Sequence, residues 1–279
     1  MLLYTFCVDI GRHRRVDLMA VFDNLMNSIH KHIPEYKMIC FTNFDNELKL
    51  NVGEKYNVEY RKYYDKQVRK LYNDKWLNLS FNKINIYRDL YEEFKEDYCW
   101  IDLDTVVCYD ISYMNNLSNV FIENGGIAMH DNILFTNDKS ITVPRNRYIQ
   151  GDFWKLNIEL YNKLMVTLDV ITKQGLCLRY DLQDLFTYYR YIFPDGEHAG
   201  MNIIGNNIRN ETINGLCVWS KAGNTHATMD GLRNLFVENG HMKSKFYPTK
   251  EIHLLSFTFF TLTNLYKTNE FNHIFPNTG

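Results

Sequence analysis

Two aspartates stand two residues apart in an otherwise apolar run, Trp100-Ile101-Asp102-Leu103-Asp104-Thr105-Val106-Val107. Burying two unpaired carboxylates in such a run is costly, so the pattern calls for a compensating positive charge. A divalent cation supplies it, and hard carboxylate oxygens suit Mn2+ or Mg2+. A cation held by Asp102 and Asp104 would bridge the oxygens of a diphosphate and stabilise charge on a departing nucleoside diphosphate. A lone D-x-D recurs by chance in many chains, so its value depends on where the fold puts it.

Position is set by the elements around the pair. Leu2 to Val8 is a short apolar run suited to a buried parallel strand. A polar loop follows, Asp9 to Arg15, with Gly11 and the basic cluster Arg12-His13-Arg14-Arg15. Val16 to His32 has helical spacing, with Leu18, Phe22, Leu25, Met26 and Ile29 on one face and Pro34 closing it. Lys37 to Thr42 is predicted as a second strand that ends at Asn43, and Val58 to Tyr63 as a short third. Leu77 to Phe94 is helical again, and Tyr98 to Val107 is predicted as one strand carrying both aspartates. This β-α-β-α-β order implies an α/β fold with a mostly parallel central sheet flanked by helices. Ligands of such sheets bind beyond the carboxyl ends of the strands. Asp9, Asn43, Asp102 and Asp104 all fall near strand ends, so one cleft is expected to gather them. Further along, Gly126 to His130 and Ile133 to Phe135 are predicted strands, Phe153 to Val170 and Asp184 to Ile192 helices, and Asn202 to Trp219 strand with turns.

Composition narrows the class. The chain has 279 residues, 46% hydrophobic and 23% charged, which suits a folded protein with a substantial core and argues against disorder. A formal net charge of -2 gives no overall bias towards nucleic acid or membrane. The six cysteines form no C-x-x-C pair, which speaks against a zinc site; most sit in apolar runs and read as small buried hydrophobes in a reducing compartment. The start of the chain lacks the pattern of a signal peptide, and no stretch approaches the roughly 20 apolar residues of a membrane span, so a cytoplasmic location is expected. No G-x-x-x-x-G-K-[ST], G-x-G-x-x-G or G-x-S-x-G pattern occurs, which leaves kinase, dehydrogenase and hydrolase readings without support.

Trp76, the helical Phe81-Asn82-Lys83-Ile84, and then Cys99-Trp100-Ile101-Asp102-Leu103-Asp104-Thr105-Val106-Val107-Cys108-Tyr109-Asp110-Ile111-Ser112 together resemble the GT-A glycosyltransferases of bacterial capsule and lipopolysaccharide pathways and of large DNA viruses. The segment Met38 to Asn43 is similar to the family's second strand, which usually ends in Thr-Asp; Asn43 departs from that. The similarity covers about the first 115 residues. It implies one GT-A domain over 1–279, with a nucleotide-binding half (1–115) and a sugar and acceptor half (116–279). It also implies a metal-dependent transfer of a sugar from a nucleotide donor, expected to be a UDP-sugar, to a hydroxyl of a glycan or oligosaccharide acceptor. No nucleic-acid partner and no transmembrane segment are expected.

The resemblance assigns roles residue by residue. Val8 and Asp9 would hold the nucleoside with Asn43, and Arg12, Arg14 or Arg15 would meet the diphosphate, because guanidinium matches phosphate geometry; a solvated basic loop is the plainer alternative. Lys83 would face the donor, Asp102 the ribose or a metal-bound water, and Asp104 the metal. Tyr148 to Trp154 looks like the small-residue turn beside the donor sugar, where Gly151 would permit close backbone approach and Asp152 would bond sugar hydroxyls. Core packing is the favoured role for Trp154. If the reaction inverts the anomeric centre, which a nearby acid favours, a carboxylate must deprotonate the acceptor. Asp184 is the first candidate, then Asp181 and Asp152, with helix capping by Asp181 as the alternative. Relatives carry a late histidine before Ala-Gly as a third metal ligand. Here Ser220 or Lys221 stands there, leaving His226 or His241 as substitutes. Two other functions compete: a sugar-1-phosphate nucleotidyltransferase, which would normally show a glycine-rich start, and a non-catalytic glycan-binding protein on a degenerate scaffold.

Overall fold

A computed structural model describes residues 1–44, 55–65, 75–123, 149–176 and 182–193, together with residues 52, 178 and 201 and the short segments 203–205, 218–220, 235–239, 241–245 and 247–256. The chain is α/β, with a mostly parallel sheet flanked by helices. It divides into two compact units: residues 1–63, 101–116 and 205–279 form the first, and residues 64–100 and 117–204 the second.

In the first unit, β1 (Leu2–Cys7), β2 (Lys37–Thr42) and β3 (Val58–Lys62) run parallel in the order β3-β2-β1. Leu2 faces Lys37 and Cys7 faces Thr42, while Met38 faces Val58 and Thr42 faces Lys62. β1 and β2 are buried almost throughout, as strands of a covered parallel sheet must be. β3 lies at the sheet edge and carries Glu59 and Arg61, paired at 2.6 Å; such charges deter edge-to-edge association. Helix α1 (Arg15–His32) buries Leu18, Phe22, Leu25, Met26 and Ile29, the stripe its spacing predicts, and Val21 beside them. Its Ser28 hydroxyl donates to Leu25 O at 2.7 Å and accepts the Val107 N–H at 3.1 Å, tying the helix to the strand that follows the two aspartates.

That strand differs from expectation. Tyr98 to Val107 is not one strand but two, β4 (Cys99–Ile101) and β5 (Thr105–Val107), with a tight turn at residues 102–104 closed by the Thr105 N–H donating to Asp102 O at 3.2 Å. The two aspartates therefore leave the sheet and are half-buried rather than enclosed in it. Beyond β5 a 3-10 turn spans Ser112–Asn116.

The second unit has strands in the order β4-β7-β6-β8, with β6 (Val120–Glu123) antiparallel to β7 (Ile149–Lys155) and β8 at Ile203–Gly205. Its helices are α2 (Lys75–Phe94), α3 (Ile158–Lys173) and α4 (Leu182–Ile192). The helix expected from Phe153 starts only at Ile158. Residues 149–155 are buried on both faces as strand, and Asn157 caps the helix by accepting the Leu160 N–H at 2.8 Å. The expected strands at 126–130 and 133–135 lie outside the described residues. Trp154 is a core residue, as favoured. Its ring stacks on Trp100 at 6.4 Å and meets Tyr87 and Phe186 edge-on at 6.3 and 5.7 Å.

The last third adds two small sheets to the first unit. β9 (Val218–Ser220) pairs in parallel with β13 (Leu254–Ser256), which pairs antiparallel with β5. β10 (Leu235–Glu238), β11 (His241–Ser244) and β12 (Tyr247–Glu251) form a meander. Asn239 takes the left-handed conformation, φ 54°, at the first hairpin, where Asn-Gly sequences favour such turns. Cys7, Cys40, Cys99 and Cys108 are buried free thiols; Cys177 and Cys217 lie outside the described residues. Among the described residues no helix is long and apolar enough to cross a membrane.

A histidine cluster closes this unit. Tyr109 packs on His241 at 5.0 Å and on His253 at 4.7 Å, and His32 sits within electrostatic range of Asp110 and His241. Burial pushes the His32 imidazole down to about 4, Lys31 and His241 push the same way, and Asp110 opposes them. The unfolded imidazole titrates near 6.5, so between those values the unfolded chain holds a proton that the folded chain does not. The stability this group contributes is complete above pH ~6.5 and is lost as pH falls towards 4. Urea unfolding from pH 7 to 4.5 is expected to show a falling midpoint, with a shallower fall in His32→Gln; an identical slope in the variant would remove His32 from the account.

Candidate functional site

Three of the expected residues come together at the carboxyl ends of β1 and β2. Asn43 accepts the Asp9 N–H through Oδ1 at 2.8 Å, and its Nδ2 donates to the Asp9 carbonyl at 2.8 Å. A carboxylate in place of Asn43 would satisfy only the first of these bonds, and its second oxygen would face a carbonyl oxygen. The amide is thus what this contact requires. Asp9 uses its own carboxylate locally: Oδ1 accepts the Gly11 N–H at 2.7 Å and Oδ2 lies 3.4 Å from Arg15 Nε. Gly11 has φ 80°, a conformation that glycine adopts without strain. Val8 is buried at the end of β1.

The arginines divide. Arg14 occupies the cap position of α1 without a side-chain capping bond and pairs with Asp17 at 3.4 Å, three-quarters exposed. Arg15, also exposed, pairs with Asp9 at 3.4 Å and lies 5.6 Å from the centre of the buried Phe44 ring. Spacing in the sequence gave no means of ranking these neighbours; the separation appears only once α1 is placed. The amino end of α1 follows directly, so its partial positive charge adds to that of the arginines. Burial lowers the pKa of His13, Arg12 pushes the same way, and Asp17 and Asp9 oppose them.

Asp102 and Asp104 belong to the same unit, in the turn after β4. Both are half-buried and present hard oxygen donors, which suit Mn2+ or Mg2+. Among the described residues no group of three His, Cys, Asp or Glu side chains is placed to hold a metal ion. The donor set fits a cation to the extent of two carboxylates. Ser220 ends β9, His226 lies outside the described residues, and His241 is packed on Tyr109.

The remaining candidates lie in the second unit. Lys83, on α2, places its ammonium 4.5 Å from the centre of the Trp100 ring, two residues ahead of Asp102 in the chain; such a contact contributes about 0.5–2 kcal/mol depending on its exposure to water. Asp152, on β7, is 8% exposed, and Asp184, in the first turn of α4, is 0% exposed. A carboxylate in a first turn compensates the helix's free amides, so acting as a base would require an acceptor hydroxyl to penetrate to Asp184. Asp181 lies outside the described residues. The space beside Gly151 belongs to Gln183: a Cβ on Gly151 would meet Gln183 Cγ and Nε2 at 3.0 Å. Gln183 was not anticipated, because nothing in sequence spacing relates it to Gly151.

Comparison of the sequence with family models and with curated proteins found no match.

Gly151→Ala is expected to destabilise by about 1 kcal/mol, the lower end of overpacking costs, because Gln183 is half-exposed and can give way. Adding Gln183→Ala should recover most of the loss in a double-mutant cycle. An additive result would mean that the two positions do not share this space.

Proposed function

We propose that the chain is a GT-A-type glycosyltransferase that uses Mn2+ or Mg2+ to move a sugar from a nucleotide donor, a UDP-sugar by preference, to a hydroxyl of a glycan acceptor. The observation that carries this reading is the acidic turn: two half-buried carboxylates held between strands that are buried on both sides of it. Asp9, Asn43 and the basic start of α1 support it, since each follows the carboxyl end of a strand, where α/β folds receive ligands.

On this reading Asp102 and Asp104 would hold the metal, with His226 as the third ligand, and a bound cation would supply neutralisation of charge on a departing nucleoside diphosphate. Val8 and the Asp9–Arg15 loop hold the nucleoside and diphosphate, with Arg14 and Arg15 as the cationic groups. Lys83, Gly151 and Asp152 are the residues this reading assigns to the donor and its sugar. Asp184, Asp181 or Asp152 takes the proton of the acceptor hydroxyl in an inverting displacement.

A donor screen tests the proposal. Release of nucleoside diphosphate would be followed from UDP-, GDP- and TDP-sugars with Mn2+, Mg2+ or EDTA, with and without a glycan acceptor mixture. Release from one donor should require metal and should fall at least about 100-fold in Asp104→Ala, since the metal contributes several kcal/mol to that step. Metal-independent release, or an Asp104→Ala variant as active as the parent, would rule the mechanism out. Absence of both nucleotide and metal binding would favour a glycan-binding protein.

A further inference from the structure

Two residues after β2 hold both ends of the loop between β1 and α1. Asn43 spends both polar atoms of its amide on the backbone of Asp9, 34 positions earlier in the chain, with each bond at 2.8 Å. Phe44, buried and fixed by its N–H donating to Thr42 Oγ1 at 3.1 Å, supports the Arg15 guanidinium with its ring. Between these two anchors the Asp9 carboxylate accepts the Gly11 N–H and faces Arg15 Nε, so the loop carries its own internal ties as well.

We propose that Asn43 is a positioning residue: it pre-orders the Asp9–Arg15 loop for a nucleoside diphosphate and does not itself contact the nucleotide. The inference rests on the transferase reading and changes what Asn43 does within it. A ligand that binds a loop must meet the entropy of ordering it, and a clamp already made in the free protein removes that cost from the binding step. The amide suits the task because one planar group donates to a carbonyl and accepts from an N–H of the same residue. Each polar atom of the amide already makes one bond to the backbone of Asp9, and both bonds fix the group in the plane that holds the loop.

The test combines amide hydrogen exchange with calorimetric binding of UDP, GDP and TDP in the presence of Mn2+, on the full chain and on Asn43→Ala and Asn43→Asp. In Asn43→Ala the Asp9 and Gly11 amides should exchange faster than in the parent, while amides within β2 keep their protection; Asn43→Asp, which keeps an acceptor for the Asp9 N–H but loses the donor to the Asp9 carbonyl, should fall between the two. The nucleotide should bind Asn43→Ala at least about fivefold more weakly, the equivalent of one net hydrogen bond. Faster exchange with unchanged nucleotide affinity would overturn the proposal, because the clamp would then serve the fold alone. Weaker binding with unchanged exchange would also overturn it, because Asn43 would then act by direct contact. If the parent chain binds none of UDP, GDP and TDP, the transferase reading fails and the ligand part of the inference falls with it, whereas the exchange data still decide whether the clamp exists.

Discussion

The burial of the chain on both sides of the acidic turn is the constraint on which the rest depends. Tyr98 to Ile101 and Thr105 to Cys108 are all buried, and between them only Asp102, Leu103 and Asp104 reach the surface. Two short apolar strands thus fix the ends of a three-residue turn, and the cost of burying a carboxylate decides that the aspartates occupy the turn and not the strands. Ser28 pins β5 to α1 through the Val107 N–H, and β13 covers β5 along Thr105–Val107. A pair of acids presented on so firmly held a base is preorganised, and that feature lends weight to a role in binding a cation.

Rigidity elsewhere follows similar physics by different means. The loop after β1 has few apolar side chains to bury and is held instead by hydrogen bonds: the amide of Asn43, the Asx-type bond from Gly11 to Asp9, and the Arg15 pair. These are solvent-accessible bonds, individually worth roughly 1 kcal/mol, so the order of the loop depends on several weak ties rather than on packing. In the second unit the aromatic group Trp100, Trp154, Tyr87, Phe186 and Phe121 fastens strands to helices, and Lys83 reaches over its rim.

Much of this was legible in the sequence. β1, α1, β2 and β3 have strong periodic or continuous apolar patterns, and their observed bounds lie within a residue of those expected. The turn at 102–104 was hidden because Leu103 is apolar and keeps the run looking continuous; the two carboxylates were the signal that a single strand could not hold there. The aromatic spacing from Phe153 onwards suggested a helix, yet a strand covered on both faces has no alternation to betray it, and Asn157 was the better guide as a helix cap. The meander near residue 240 had its own cue in Asn239-Gly240. What no local pattern encodes is pairing across the chain, such as Asn43 with Asp9 or Gln183 with Gly151, because these contacts exist only after distant segments are brought together. Residue types in the acidic pair pointed to a cation, whereas the choice between Arg14 and Arg15 had to wait for the helix.

Manganese binding tests the central claim most directly. Free Mn2+ would be followed by electron paramagnetic resonance during titration of the protein in the presence of UDP, with Asp102→Asn/Asp104→Asn as the comparison. The account predicts that the parent chain removes one equivalent of the free Mn2+ signal and that the double variant, folded to the same extent by circular dichroism, does not. No loss of signal in the parent, or the same loss in both proteins, would contradict the assignment of a metal–nucleotide site to the turn at Asp102 and Asp104.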